Sequence, residues 1–244
     1  MASTTRTLLA FFVFLLLHGG IHGITFTVKN NCGFTIWPAT LSSAAAPPLQ
    51  ETGFILIPGA SAALPAPAKW SGRIWARTHC STDSSGRFSC LSGDCGTGTV
   101  NCSGSGGAPP ASLAEFTLDG ADGKDFYDTS LVDGFNLPVA ILPDAAGCNA
   151  TSCAVDVDRG CPPGLRETSA AAGGAVIGCM SPCVAFREDE YCCSGRYNDP
   201  KICKPTNYSM VFKRACPQAY SYPYDDATST FTCVGANYVI SFCP

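Results

Sequence analysis

Histidines and cysteines are the first residues to consider as catalytic groups or metal ligands, and few of them are available for either role. The chain has three histidines, of which only His79 lies beyond residue 23, so a Ser/His/Asp triad in the exported chain would have to use it. The 16 cysteines are an even number, which in an exported chain predicts eight disulfides and no free thiol. Zinc is the alternative for the clusters between Cys179 and Cys203, but one histidine and an oxidising route disfavour it. We therefore expect no metal and no cofactor.

Carboxylates are the remaining candidates. A groove with several carboxylates and one arginine suits a neutral polyhydroxyl chain, because carboxylates accept hydrogen bonds from sugar hydroxyls. Rings such as Phe135, Tyr220 and Tyr222 could stack on sugar faces. Two acids at a suitable separation could also hydrolyse a glycosidic bond, one with a raised pKa and the other ionised. For any single acid, an ordinary solvated carboxylate is the simpler interpretation.

The segment Arg73–Arg77 (RIWAR) would carry charge on one face of a strand. Side chains alternate along a strand, so Arg73, Trp75 and Arg77 share a face. An arginine pair beside a tryptophan is more than solvation requires, although each arginine could equally be a plain surface residue.

Three acidic residues follow in the next two segments. Glu115 is flanked by apolar residues at positions 114, 116 and 118, so it lies on the face opposite them. In DFYDTSLVDGFNLPV, Asp128 and Asp133 are five residues apart and would face opposite sides of a straight strand. If both serve one site, a bend or bulge must intervene, and Gly134 makes a turn plausible there.

The remaining elements are predicted from periodicity. Alternation indicates strands at 24–29, 34–37, 208–214, 230–234 and 238–242. Residues 41–69 are predicted to be loop on either side of a short strand, Phe54–Ile57. Residues 184–191 are predicted to be a short helix among cysteine-rich loops.

Residues 1–23 are predicted to be a cleaved signal peptide. Arg6 precedes an apolar run of ten residues, Leu8–Leu17, and small residues follow it; a retained anchor is the alternative, but the run is short for a bilayer. Without Arg6, 14 Lys and Arg face 19 Asp and Glu, a formal charge of −5. An acidic chain is not expected to bind nucleic acid or anionic lipid through its charge. No second long apolar run appears in the sequence, so we expect a soluble exported protein.

The stretch Gly86–Cys102, GRFSCLSGDCGTGTVNC, cannot fold by burying apolar area and must be held by covalent links. It closely resembles the thaumatin family signature, G-x-[GF]-x-C-x-T-[GA]-D-C with another cysteine shortly after. Ser92 stands where threonine is usual and keeps the hydroxyl.

The sequence alone leaves the disulfide pairing open. The resemblance implies Cys32–Cys243, Cys80–Cys90, Cys95–Cys102, Cys148–Cys233, Cys153–Cys216, Cys161–Cys179, Cys183–Cys192 and Cys193–Cys203.

The resemblance, which runs from about Ile24 to Pro244, also implies an all-β architecture. It is a flattened two-sheet β-sandwich of about eleven strands, with two disulfide-rich loop domains packed against it. The sandwich would comprise residues 24–77, 110–154 and 217–244. The small disulfide-rich domain would comprise 78–109 and the larger one 155–216. Glycine is common in the family at the position of His79, so His79 would be mildly strained if that position has a positive φ; we interpret it as a surface residue.

Thaumatin-like proteins with an acidic inter-domain cleft carry an arginine, a glutamate and three aspartates there. Matched motif by motif, these are Arg73, Glu115, Asp128, Asp133 and Asp225, with Asp226 as a register-dependent substitute for the last. The resemblance implies Glu115 and Asp133 as the catalytic pair if the cleft hydrolyses glucan.

The function implied by the resemblance is plant defence. The expected protein is secreted to the cell exterior, binds β-1,3-glucan of fungal walls and is antifungal, and we expect a monomer. Weak endo-β-1,3-glucanase activity is the first alternative and protease or amylase inhibition the second. The chain lacks the C-terminal tail of vacuolar members, which favours export. Sequons occur at Asn101, Asn149 and Asn207; Asn149 and Asn207 are the expected glycosylation sites, Asn149 foremost.

Overall fold

The computed structural model describes residues 23–244, so the predicted signal peptide at 1–23 lies outside the described residues except for Gly23. The strands are β1 Thr25–Asn30, β2 Trp37–Ser42, β3 Ser61–Pro65, β4 Ser71–Thr82, β5 Phe88–Ser92, β6 Leu113–Thr117, β7 Asp125–Ser130, β8 Val139–Pro143, β9 Thr151–Cys153, β10 Arg166–Ser169, β11 Ala175–Cys179, β12 Phe231–Cys233 and β13 Tyr238–Phe242. The α-helices are α1 Pro182–Phe186, α2 Asp189–Cys192, α3 Ser209–Ala215 and α4 Asp226–Ser229.

Two sheets form a sandwich. One has the order β3-β1-β13-β8-β9, and the other has the order β12-β7-β6-β4-β2 with β5 paired to the extension of β4. These sheets contain five and six strands, so the expected sandwich of about eleven strands is confirmed. The hairpin β10-β11 stands apart from both sheets. Within residues 23–244, no helix is long and apolar enough to cross a membrane.

The main core lies between the two sheets. Apolar side chains at every second position of the strands point inward, among them Ala114 and Phe116 of β6, as the alternation predicts. The Phe26 ring packs on Phe116 at 4.6 Å between centroids and on Trp70 at 5.2 Å. Glu115, between the two inward residues of β6, therefore faces away from this core.

Two smaller cores belong to the disulfide-rich regions. One contains Trp75, Ala39, Leu113 and the Cys95–Cys102 bridge on the outer face of the six-stranded sheet. The other contains Leu131, Phe135 and Phe212 with four buried half-cystines of the 153–216 region. The predicted domain boundary at residue 77 falls inside β4, which continues to Thr82; the domain limits stay a prediction.

All eight predicted disulfide pairs are confirmed. The Cys32–Cys243 bridge joins residues 211 positions apart, so it ties the first strand of the sandwich to the end of the chain. Among residues 23–244 no cysteine is free, and no cluster of three or more His, Cys, Asp or Glu side chains there could hold a metal ion.

Several predicted elements are wrong. Residues 208–214 are not a strand, since Ser209–Ala215 forms the helix α3. The strand predicted at 34–37 begins only at Trp37. Residues 54–57 form only an isolated bridge between Leu56 and Ile36, whereas β3, five residues of mostly small side chains (SAALP), pairs antiparallel with β1. The helix predicted at 184–191 is divided between α1 and α2.

Candidate functional site

Arg73, Glu115 and Asp128 lie side by side across three neighbouring strands. Arg73 of β4 pairs in register with Glu115 of β6, and Glu115 pairs with Asp128 of β7. Directly opposed side chains of antiparallel strands are about 5 Å apart at Cβ, so the three charged groups form a row on the outer face of the sheet. The row requires only the strand register, because each of the three is an outward position of its strand.

Asp133 reaches the same row from a turn. Strand β7 ends at Ser130, and the amide of Gly134 donates to the carbonyl of Leu131 at 2.9 Å. Gly134 has φ 93°, and a Cβ there would lie 2.6 Å from the carbonyl oxygen of Cys179, so only glycine fits. This turn brings Asp133 back toward the sheet, where its Oδ2 accepts from Arg73 Nη1 at 3.1 Å. The bend expected between Asp128 and Asp133 is thus present.

The row lies in a groove formed by two adjoining cavities that share Arg73, Glu115 and Asp128. One cavity, of about 440 Å³, extends over Ser71, Thr117 and Phe126 toward β2. The other, of about 270 Å³, extends over Ser130 and Asp133 to Tyr220 and Pro223. Glu115, Asp128 and Asp133, called the acidic cluster below, therefore lie in the middle of the groove. Hydroxyl groups and the Phe126 ring lie toward one end, and Ser130 and Tyr220 lie toward the other.

Burial shifts the pKa values of the three acids of this cluster upward. Partial burial, followed by repulsion from Glu115 and Asp226, raises the pKa of Asp128 to about 8. Burial likewise raises the pKa of Glu115, with Asp133 adding to the rise and Arg73 opposing it. The pKa of Asp133 is raised by burial, and Arg73 again opposes the rise. The titrations of acids this close together are linked, and their mutual repulsion favours the protonated form of at least one of them.

One oxygen of Asp128 has no hydrogen-bond partner. Its Oδ1 is buried within the described structure and pairs with no donor there. A buried carboxylate oxygen without a donor is costly, which agrees with the raised pKa of Asp128. The group can therefore carry a proton at neutral pH and offer a hydrogen-bond donor to a ligand.

The family model for the thaumatin family matches residues 30–244. The chain belongs to the thaumatin family. It is 52% identical to thaumatin-like protein 1 of Pyrus pyrifolia over 235 residues, covering 95% of this chain and 96% of that protein. It is 48% identical over 247 residues to a Prunus avium protein named glucan endo-1,3-beta-glucosidase, and covers 100% of both chains. Pathogenesis-related protein 5 of Arabidopsis thaliana is also 48% identical over 246 residues, with 100% of both chains covered.

In this thaumatin-family chain Asp225 is placed differently from the other four predicted cleft residues. Its Oδ2 lies 2.9 Å from Lys213 Nζ of α3 and accepts from the amide and hydroxyl of Ser221 at 3.0 and 2.9 Å. The side chains of Lys213 and Asp225 are 16% and 11% exposed. This carboxylate is thus occupied by the protein itself, and its role in ligand binding stays a prediction.

Asp226 and Tyr220 connect that loop to the groove. The Tyr220 hydroxyl donates to Asp226 Oδ1 at 2.8 Å, and Tyr220 lines the groove beside Asp128. The charge of Asp226 also contributes to the raised pKa of Asp128. Asp226, the register-dependent substitute named from the sequence, therefore affects the pKa of Asp128. Asp225 is not among the charges that do so.

The rings suggested for stacking on a sugar do not all reach the groove. Phe135 is 1% exposed and lies in the core of the larger disulfide-rich region, so the suggestion that it could stack on a sugar is wrong. Tyr220 lines the groove, and Tyr222 is partly exposed two residues further on. Phe126 was missed, although it lies two residues before Asp128 and alternation places it on the same face.

Arg77 and His79 are not among the residues that line the groove. Arg77 shares the outer face with Arg73 but is fully buried, and it donates to the carbonyls of Trp37 and Val100 at 3.0 and 2.7 Å. It is therefore not the plain surface residue that the sequence left open. His79 is exposed, as expected, and has a positive φ of 50°.

Proposed function

We propose that this thaumatin-family protein is a monomeric, secreted defence protein that acts against fungi by binding β-1,3-glucan of their cell walls in the acidic groove. The observation that carries the proposal is the row of Arg73, Glu115 and Asp128 in register in the middle of the groove. The names of two relatives support it, since one is a pathogenesis-related protein and the other a glucan endo-1,3-beta-glucosidase. The eight disulfides fit an extracellular protein.

The chemistry of the groove suits an uncharged sugar chain. Asp133 and Glu115 accept hydrogen bonds from hydroxyl groups, while Arg73 donates them. Protonated Asp128 adds a donor beside these acceptors. Phe126 near one end and Tyr220 near the other offer apolar ring surface for pyranose faces. An anionic polysaccharide would meet the acidic cluster and be repelled.

Slow hydrolysis of the same glucan is the second candidate function, favoured by the different surroundings of Glu115 and Asp133. Burial raises the pKa of Glu115, so it can hold the proton that the leaving glycosidic oxygen needs. Burial raises the pKa of Asp133 as well, but of the two acids Asp133 is the one that forms an ion pair with Arg73, at 3.1 Å, which favours its carboxylate form. As Glu115 protonates the leaving glycosidic oxygen, the C1–O bond breaks, the bonding pair leaves with that oxygen, and the Asp133 carboxylate stabilises the positive charge that develops at C1. Water then adds its hydroxyl to C1 and gives its proton to Glu115, which restores the acid.

One experiment separates binding from hydrolysis. Purified protein is incubated with insoluble linear β-1,3-glucan, with a β-1,4-glucan as the control polymer, and both bound protein and new reducing ends are measured. We expect the wild-type protein to be pulled down by the β-1,3-glucan alone. Glu115→Gln should abolish any release of reducing ends and leave much of the binding, whereas Glu188→Gln, on an exposed residue of α2's N-terminus, should change neither.

The outcomes are distinct. Release of reducing ends that is unchanged in Glu115→Gln would remove the enzymatic candidate and leave the binding proposal standing. Failure of the folded wild-type protein to bind β-1,3-glucan above the β-1,4-glucan control would overturn the binding proposal itself.

A further inference from the structure

A second groove lies in the larger disulfide-rich region, lined by residues other than those of the acidic cluster. It has a volume of about 400 Å³ and is lined by three tyrosines, Tyr191, Tyr197 and Tyr208, with Ile202 and Pro205. Ile202 is 52% exposed, so an apolar side chain faces solvent on the groove wall. Two disulfides, Cys183–Cys192 and Cys193–Cys203, fix the segments that form it.

The aromatic side of this groove is rigidly packed. The Tyr191 and Tyr208 rings lie 6.0 Å apart, edge to face, and both pack on Phe186 at 5.2 and 5.0 Å. One face of Tyr197 is covered by the Arg196 guanidinium at 4.8 Å. Rings held in this way present a fixed apolar surface whose hydroxyl ends remain polar, the combination that sugar rings contact well.

The sequon Asn207-Tyr208-Ser209 is part of the wall of this groove. Asn207 itself is exposed and lines the groove, and no hydrogen bond of its side-chain amide is found among residues 23–244. The sequon at Asn101 differs, because Asn101 Oδ1 accepts from the amide of Ser103 at 2.9 Å and also from the Thr52 hydroxyl. Asn149 is exposed but lines none of the cavities described above.

The turn around Asn207 is fixed by hydrogen bonds of its neighbours. Ser209 Oγ donates to the carbonyl of Thr206 at 3.1 Å and accepts from the amide of Thr206 at 2.8 Å. The amide of Ser209 donates to Thr206 Oγ1 at 3.2 Å. Ser209 is 1% exposed. The sequon hydroxyl is therefore available only before the turn folds, so modification must occur on the nascent chain, and the folded turn then leaves Asn207 on the groove wall.

We propose that Asn207 carries an N-linked glycan whose first N-acetylglucosamine lies in the tyrosine groove and covers it. The inference rests on export through the secretory route. A lipid-linked oligosaccharide pyrophosphate is the donor: Asn207 Nδ2 forms a bond to sugar C1, the bond from C1 to the pyrophosphate oxygen breaks, the lipid pyrophosphate leaves with the electron pair, and the amide loses one proton. The acetamido methyl group packs on the tyrosines, while Glu190 and Lys204, which also line the groove, pair with its polar atoms.

The full-length chain secreted from a eukaryotic host tests this proposal. Peptide mapping by mass spectrometry gives the occupancy of each sequon, and nitration of Tyr191, Tyr197 and Tyr208 reports on their accessibility. Trimming by an endoglycosidase that leaves one N-acetylglucosamine should keep the tyrosines protected. Complete removal by a peptide N-glycosidase should speed their nitration by about threefold or more, since the rings lose the sugar that covers them. Asn149→Gln is the matched control and should leave nitration unchanged.

Each outcome decides the matter. Protection that is lost on complete removal and kept with a single sugar supports the proposal, and Asn207→Gln should then nitrate as the fully deglycosylated protein does. An unmodified Asn207 in the secreted protein overturns it. So does an occupied Asn207 whose complete deglycosylation leaves tyrosine nitration unchanged, since the glycan would then project into solvent. None of these readouts depends on glucan binding, so failure here is distinct from failure of the proposed function.

Discussion

Arg73 Nη1 lies 3.1 Å from Asp133 Oδ2, which joins strand β4 to the turn after β7 across the groove. The two side chains are 38% and 32% exposed, so the pair is partly solvated and contributes little to folding. Its larger effect is on protonation, because the same guanidinium opposes the rise in pKa of both Asp133 and Glu115. One arginine thus lowers the pKa values of two acids against the effect of burial.

Replacing this arginine should raise both pKa values. In Arg73→Met, the pKa of Asp133 and that of Glu115 should each move further up, because burial then acts without an opposing charge. The free energy of unfolding should fall by less than about 1 kcal/mol, as for other partly exposed pairs. Carboxyl-carbon NMR titration measures the pKa values directly. Arg214→Met, on an exposed face of α3, is the control, and equal pKa values in both variants would refute this role for Arg73.

Asp128 should make the protein less stable as the pH rises. Its pKa in the folded protein, about 8, lies above the ordinary value of 3.8. Between these values the folded state binds more protons than the unfolded state, so the free energy of unfolding falls with rising pH. Asp128→Asn removes that contribution. The variant should match the wild type near pH 4 and exceed it by about 1 kcal/mol or more near pH 8.

Urea unfolding at several pH values measures this difference, with disulfides kept oxidised. Glu188→Gln serves as the control and should follow the wild-type pH dependence. A stability difference between Asp128→Asn and wild type that does not grow between pH 4 and pH 8 would show that Asp128 titrates normally.

The Lys213–Asp225 ion pair should stabilise the loop that carries Tyr220, and with it the fold. Both side chains are nearly buried at 2.9 Å separation, and Lys213 also donates to the Ala219 carbonyl and the Ser229 hydroxyl. Lys213→Met leaves the Asp225 carboxylate without its cation, which should cost about 3 kcal/mol of unfolding free energy. The double variant Lys213→Met/Asp225→Leu should recover part of that loss. Thermal and urea unfolding of both variants test this, and a single variant as stable as wild type would contradict it.

The terminal disulfide should stabilise the fold more than a short one does. In the chain-entropy model, the Cys32–Cys243 loop of 211 residues is worth ~5 kcal/mol, and the Cys80–Cys90 loop of 10 residues ~3 kcal/mol. Paired Cys→Ser variants of each bridge, compared by urea unfolding, should differ by about 2.7 kcal/mol in that order. The opposite order would mean that loop closure is not the main contribution.

Much of the sandwich could be predicted from alternation because its strands have one face in the core. The segment containing Glu115 is an example, since the apolar residues at 114, 116 and 118 are buried and Glu115 is left outside. The same rule could have predicted Phe126 and Thr117 in the groove. Alternation did not predict the helix α3, because one of its buried positions is the polar Ser209. The buried residues Ser209, Phe212 and Cys216 follow each other at the helical spacing of three and four residues.

Other features depend on contacts that no local pattern reveals. Asp225 matches the motif of a cleft residue, yet its partner Lys213 lies on a different element, and only the folded loop brings them together. Phe135 is aromatic and close in sequence to Asp133, but the turn at Gly134 directs it into the core of the neighbouring region. Arg77 likewise became buried because the disulfide loop that supplies the Val100 carbonyl covers it.

Calorimetric titration with a linear β-1,3-glucan hexasaccharide tests the role of the acidic groove most directly. The Glu115→Gln variant serves as the parent protein, so that no cleavage contributes heat, and it is compared with the same variant carrying Asp128→Ala and Asp133→Ala. We expect the parent to bind and the added substitutions to weaken the affinity by about tenfold or more, equivalent to ~1.4 kcal/mol. Adding Glu188→Gln to the parent instead should change nothing. Equal affinity with and without Asp128 and Asp133 would contradict the assignment of the groove as the glucan site.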